Sequence, residues 1–128
     1  MDEVGVGIIE LGDGSVLQLK ILIIDVKEVG FSPFGGVDLD VKVVGGISLK
    51  KLPEEIQRHI AQKPLAIGTP VDGWEIVDIV RQTPAEATAV VETSKGKFKV
   101  VVVAEAVMAA RNLNYKTRVN EPNYLMGV

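Results

Sequence analysis

The chain has 128 residues and a net charge of −3, and 47% of its residues are hydrophobic. That is one domain's length with enough apolar material for a core, which excludes wholesale disorder. It has no cysteine, which excludes disulfides, thiolate catalysis and cysteine-bound zinc.

The lack of cysteine fits a reducing cytoplasm and also a thermophile. The acidic balance gives no general attraction to nucleic acid or to an anionic membrane, and leaves room only for a local basic patch. Met1 to Gly7 carry acids and no basic region, so no secretory signal is expected. The most apolar runs, Ile21–Ile24 and Val100–Val107, fall short of the roughly 20 residues that span a bilayer. A cytoplasmic protein with no membrane partner is expected. The mean hydropathy of +0.26 is high for a small chain and predicts apolar surface packed against another chain.

Val4–Glu10 predicts a short strand, and Gly12-Asp13-Gly14 a tight turn. Ser15–Val29 reads as a long strand. Leu17, Leu19, Ile21 and Ile23 form its apolar set, and then Ile24 and Val26 take over. A flip in a period of two predicts a bulge or bend near Leu22–Ile24. Gly30–Gly36 predicts a loop, and Val37–Val44 a strand that Gly45-Gly46 ends.

Pro53–Gln62 is the clearest helix. Pro53 suits its first position, Glu54 and Glu55 suit its first turn, and Lys63-Pro64 stops it. Leu65–Gly73 is rich in turn residues. Trp74–Arg81 predicts a buried strand, anchored by the lone tryptophan. Glu86–Thr93 and Lys97–Val103 flank Ser94-Lys95-Gly96 and predict a hairpin. Ala104–Asn112 is rich in alanine, lacks proline and glycine, and predicts a second short helix. Residues 113–128 predict an extended tail that docks on its own domain or on a neighbouring subunit.

The expected fold is mainly β, a β-rich α+β domain over residues 1–112. It is a single curled antiparallel sheet or a small β-barrel, with one helix capping an end.

No catalytic constellation is legible, and no cofactor is implied. Asp38 and Asp40 would project from one strand face about 7 Å apart, a spacing open to a hard cation or an acid and base pair. Val37, Leu39, Val41 and Val43 fill the opposite face, so a solvated polar face explains the same pattern. The glycine pairs match no phosphate-binding motif and predict turns and bulges, as do Gly5 and Gly7. His59 is the only histidine and flanks the apolar stripe of its helix, so a border position explains it.

Three functions follow, in order of weight. The first is a non-enzymatic interaction or structural module that associates with itself or a protein partner. Its contacts would come from the tail anchors Leu113, Tyr115, Val119, Tyr124, Leu125 and Met126. The second is binding of RNA or single-stranded DNA through Lys95, Lys97 and Lys99 of the hairpin with Arg111, Lys116 and Arg118. The third is a small-molecule or metal-dependent enzyme built on Asp38, Asp40 and His59.

Overall fold

The computed structural model describes residues 3–31, 33 and 36–128. Met1 and Asp2, and Ser32, Phe34 and Gly35 of the expected loop, lie outside the described residues. Among the described residues there are nine strands and one helix. In chain order they are β1 (Val4–Leu11), β2 (Val16–Phe31), β3 (Val37–Lys51), α1 (Glu54–Ala61), β4 (Trp74–Val77), β5 (Ile79–Thr83), β6 (Ala85–Thr93), β7 (Gly96–Ala104), β8 (Met108–Lys116) and β9 (Pro122–Gly127).

The strands make three antiparallel sheets. One has the order β3-β2-β1-β5, the second β4-β8-β9, and the third is the β6-β7 hairpin. The expectation of a mainly β fold with a capping helix holds. The single sheet and the closed barrel do not: β3 and β9 each end a sheet, and a slot separates them.

The core follows the period of two. Ile9 and Leu11 of β1 and Leu17, Leu19, Ile21 and Ile23 of β2 turn to one side and are buried. Burying each such side chain contributes about 1.5–3 kcal/mol. The expected bulge is present, because the β2–β3 register shifts between Ile23 and Asp25.

Gly5 and Gly7 act neither in a turn nor in a bulge. Strand β6 crosses β1 so closely that a Cβ at Gly5 would lie 2.5 Å from the Glu86 carbonyl carbon, and one at Gly7 2.7 Å from the Ala85 nitrogen and 2.6 Å from the Thr83 carbonyl oxygen at the end of β5. Ala85 and Ala87 are fully buried beside them. Only small residues let two backbones approach this closely.

Three other expectations are corrected. Strand β3 does not end at Gly45-Gly46 but runs through them to Lys51, with Gly45 opposite Ile21 and Gly46 opposite Lys20. The long β2 partner supplies the ladder, which outweighs the weak strand preference of glycine. Trp74–Arg81 is not one strand. It breaks at Asp78, so that β4 joins β8 while β5 joins β1.

The second helix is absent. Residues 104–112 are the end of β7, a connection, and most of β8. Ala106, Ala109 and Ala110 are buried there, and the Gln82 side chain holds the connection. Its Nε2 donates to the Ala106 carbonyl at 2.8 Å, and the Ala106 N–H donates back to its Oε1 at 2.9 Å. Packing in a narrow interlayer space overrides the helical preference of alanine. Residues 113–116 continue β8, and residues 122–127 form β9, which pairs with β8.

Helix α1 forms as expected, with Pro53 at its N-cap and Ile60 buried beneath it. Glu54 and Arg58 pair across one helical turn at 2.6 Å.

Candidate interaction surface

The slot between β3 and β9 is a concave, mostly apolar feature with a volume of about 520 Å³. Val43 and Ile47 of β3 form one wall. Leu125 and Met126 of β9 form the other, and Leu19, Ile21 and Ala104 lie between them. Among the described residues, both walls are strands whose outer edges are unpaired. An apolar cleft between two open strand edges is suited to an extended segment from another chain, held by ladder hydrogen bonds and side-chain contacts.

A polar brace sets the position of β9. Asp13 and Ser15, in the turn between β1 and β2, meet Tyr124 of β9 and Arg111 of β8. The Tyr124 hydroxyl lies 2.6 Å from Ser15 Oγ and donates to Asp13 Oδ2 at 3.2 Å. Arg111 donates to Asp13 at 3.0 Å and to Glu75 of β4 at 2.6 Å. The Ser15 N–H closes a local turn onto Asp13 Oδ1 at 2.8 Å. Burial pushes the Tyr124 hydroxyl up to about 12, against the opposing hydrogen bond from Ser15. Burial pulls Arg111 down, but its hydrogen bonds and charge pairing with Glu75 and Asp13 outweigh that and raise it overall. Ser15 is fully buried, and its hydroxyl pairs with the Tyr124 hydroxyl while Asp13 is taken up by Arg111, Tyr124 and the Ser15 N–H. The cluster is a tie between sheets.

Beyond the slot, β2 and β3 continue as a two-stranded arm beside the β6–β7 hairpin. Their tips are joined. Ser94 Oγ donates to Glu28 Oε1 at 2.6 Å and the Ser94 N–H to Oε2 at 3.0 Å. These two hydrogen bonds, side chain first, hold the Glu28 carboxyl below its usual range. Lys95 Nζ sits 5.2 Å from the centre of the Phe31 ring, within reach of a cation–π attraction.

The tail anchors separate into four places. Tyr124, Leu125 and Met126 line the slot. Tyr115 lines a different cleft of about 320 Å³ with Leu65, Ile67 and Val71. Val119 stands exposed in the β8–β9 turn, and Leu113 is half-buried on β8.

The basic residues are not drawn into one surface. Lys97 and Lys99 share the outer face of the hairpin, where Lys97 pairs with Glu92 at 3.7 Å. Arg111 is engaged in the brace. Lys116 Nζ lies 3.4 Å from the Ala61 carbonyl at the end of α1, and Arg118 is exposed in the β8–β9 turn.

Asp38 and Asp40 lie on the arm, opposite Gly30 and Lys27. His59 is on α1, beyond the far end of β3. On the order of 35 Å of strand separates Asp40 from Lys51, so the three do not converge on a pocket. Among the described residues no three His, Cys, Asp or Glu side chains are grouped to hold a metal ion. No helix of the described residues is long and apolar enough to cross a membrane.

The sequence reading missed the slot and the brace. The slot arises from which strands fail to pair, and no local pattern encodes that. The brace joins Asp13 and Ser15 to residues near the other end of the chain. The only local signal was an aspartate two positions before a serine. No family model, no curated protein and no solved structure matches this chain.

Proposed function

We propose that the protein is a non-enzymatic interaction module that associates with copies of itself. The observation that carries this reading is the apolar slot between the unpaired edges of β3 and β9. Long open edges with apolar neighbours favour pairing with another strand. Further apolar exposure supports it: Val4, Val6, Ile8, Leu22 and Val44 stand exposed on the outer faces of β1, β2 and β3.

Sedimentation equilibrium across a range of protein concentrations tests it. A mass that rises above the 13.8 kDa of one chain is the expected result. A constant monomer mass at every soluble concentration overturns it.

The nucleic-acid reading rests on Lys95, Lys97 and Lys99 at the hairpin end, because Arg111 is held by two carboxylates. Binding of an oligonucleotide that weakens steeply with salt, and is lost when these three lysines become alanine, would replace self-association as the leading function.

A further inference from the structure

We propose that two copies of the chain pair edge to edge along β3, antiparallel and centred on Val41, giving one continuous sheet of β2, β3, the partner's β3 and the partner's β2. This rests on the self-association proposed above and names the surface that carries it.

Strand β3 is 15 residues long and ends its sheet. Edges of this length are normally shortened, bent away or blunted with proline or charge; β3 contains no proline, and the charges on its arm, Asp38, Asp40 and Lys42, are of both signs. Its two halves differ. Ile47 to Leu49 share a cleft with Glu121 to Tyr124, so the start of β9 stands over that end. Val43 and Val44 line the slot opposite β9, and residues 37–42 continue beyond it on the arm.

The charges on the arm specify a register. Within the chain, Asp25 of β2 faces Lys42 of β3, and Lys27 faces Asp40. Antiparallel pairing about Val41 sets Asp40 opposite Lys42 of the partner subunit, and symmetry repeats the pair. Each charged row then reads Asp25, Lys42, the partner's Asp40, the partner's Lys27, alternating in sign across four strands. On the other face Val41 meets its own copy, and Leu39 meets the partner's Val43. All are aliphatic and only partly covered in the single chain.

The neighbouring registers are worse. Centring on Lys42 sets that lysine against its own copy, and centring on Asp40 does the same to the aspartate. Like charges directly opposite one another destabilise a sheet. A shift to an odd register would place the apolar side chains of one strand on the polar face of the other. The occupant that this edge fits is therefore a second copy of the same strand.

The test uses Asp40→Lys and Lys42→Asp, made separately in the full chain. Each variant puts two like-charged pairs at the seam with its own copy. Each should dissociate at least about tenfold more readily than the parent by sedimentation. An equimolar mixture should regain a dimer, because one chain then brings two cations and the other two anions. Thermal melting of each variant checks that the fold persists.

A mixture that stays monomeric while both variants melt like the parent overturns the β3 seam, and so do variants that dimerise as well as the parent does. Either result leaves self-association standing through another surface. A parent chain that is monomeric at the highest soluble concentration overturns both readings. Restored dimer in the mixture alone supports the seam and its register, since a generic loss of stability would not be repaired by mixing.

Discussion

The crossing of β6 over β1 and the slot between β3 and β9 are built from the same class of material and have opposite outcomes. Both bring strands of different sheets face to face across apolar residues. At the crossing, Gly5, Gly7, Ala85 and Ala87 let the backbones meet, and no space is left. At the slot, Val43, Ile47, Leu125 and Met126 face each other with about 520 Å³ open between them. Side-chain size and edge pairing decide which apolar surface becomes core. Hydrophobicity alone does not.

The largest expected effect comes from adding a side chain on the closed side. Gly7→Val would drive a Cβ to within 2.6 Å of the Thr83 carbonyl oxygen and 2.7 Å of the Ala85 nitrogen. A loss of about 3 kcal/mol or more is expected, read from the midpoint of chemical denaturation. The same change at Gly46, where a Cβ meets nothing within 4 Å, should stay within about 0.5 kcal/mol. Equal losses at both sites would erase the distinction between closed and open regions.

Arg111→Ala comes next. It removes the cation from Asp13, whose side chain is only 7% exposed, and loosens the brace that holds β8 and β9 to the β1–β2 turn. A loss of about 2 kcal/mol is expected in the same measurement. Arg111→Lys should recover only part of it, because an ammonium cannot reproduce the fork to Asp13 and Glu75.

The brace also predicts an alkaline limit. Tyr124 titrates near 12 in the folded chain and near its ordinary value of about 10 when unfolded. Between these values the folded state holds the proton that the unfolded state has released. Tyr124's contribution is therefore whole below pH ~10 and is lost as the pH rises toward 12. Tyr124→Phe should flatten that part of the stability profile. An ultraviolet titration of the parent should show a tyrosine ionising only at the upper end. A profile unchanged by the substitution would refute the assignment.

The smallest effect on stability should come from the slot wall. Leu125→Asp alters a side chain that is 47% exposed, so the single chain should change by about 0.5 kcal/mol or less. If the slot contributes to self-association, the same variant should sediment closer to monomer than the parent. A large drop in melting temperature would instead mean that Leu125 belongs to the core.

Much of the fold was legible because strands with one buried face write their period into the sequence. Leu17 to Ile23 showed their inward face, and the phase change placed the bulge that the register shift between Ile23 and Asp25 confirms. Pro53, Glu54 and Glu55 marked the helix start to within a residue. The failures share one cause. Ala104–Asn112 was read from local preference, whereas Ala109 and Ala110 face Met126 and Leu125 across a ladder formed later in the chain. Gly5 and Gly7 predict turns or bulges because nothing near them announces β6. Of the site, Leu125 and Met126 were named as anchors. Their partners Val43 and Ile47 are not: Val43 reads only as part of its strand's apolar face, and Ile47 lies beyond the glycine pair that marks the expected strand end.

The pairing of β1 has a consequence for how the chain reaches this structure. β1 meets β2 through a four-residue turn, Gly12 to Ser15, but its other edge waits for β5, where Ile8 faces Thr83. Its glycine trough waits for β6. Such distant contacts must close a long loop before they return any energy, which slows folding. As the chain leaves the ribosome, the β1–β2–β3 meander emerges before β5 and β6, with its apolar inner face uncovered and an edge open on either side. Assembly therefore passes through a window in which these strands are most exposed to wrong partners, and synthesis beyond β6 brings that window to a close.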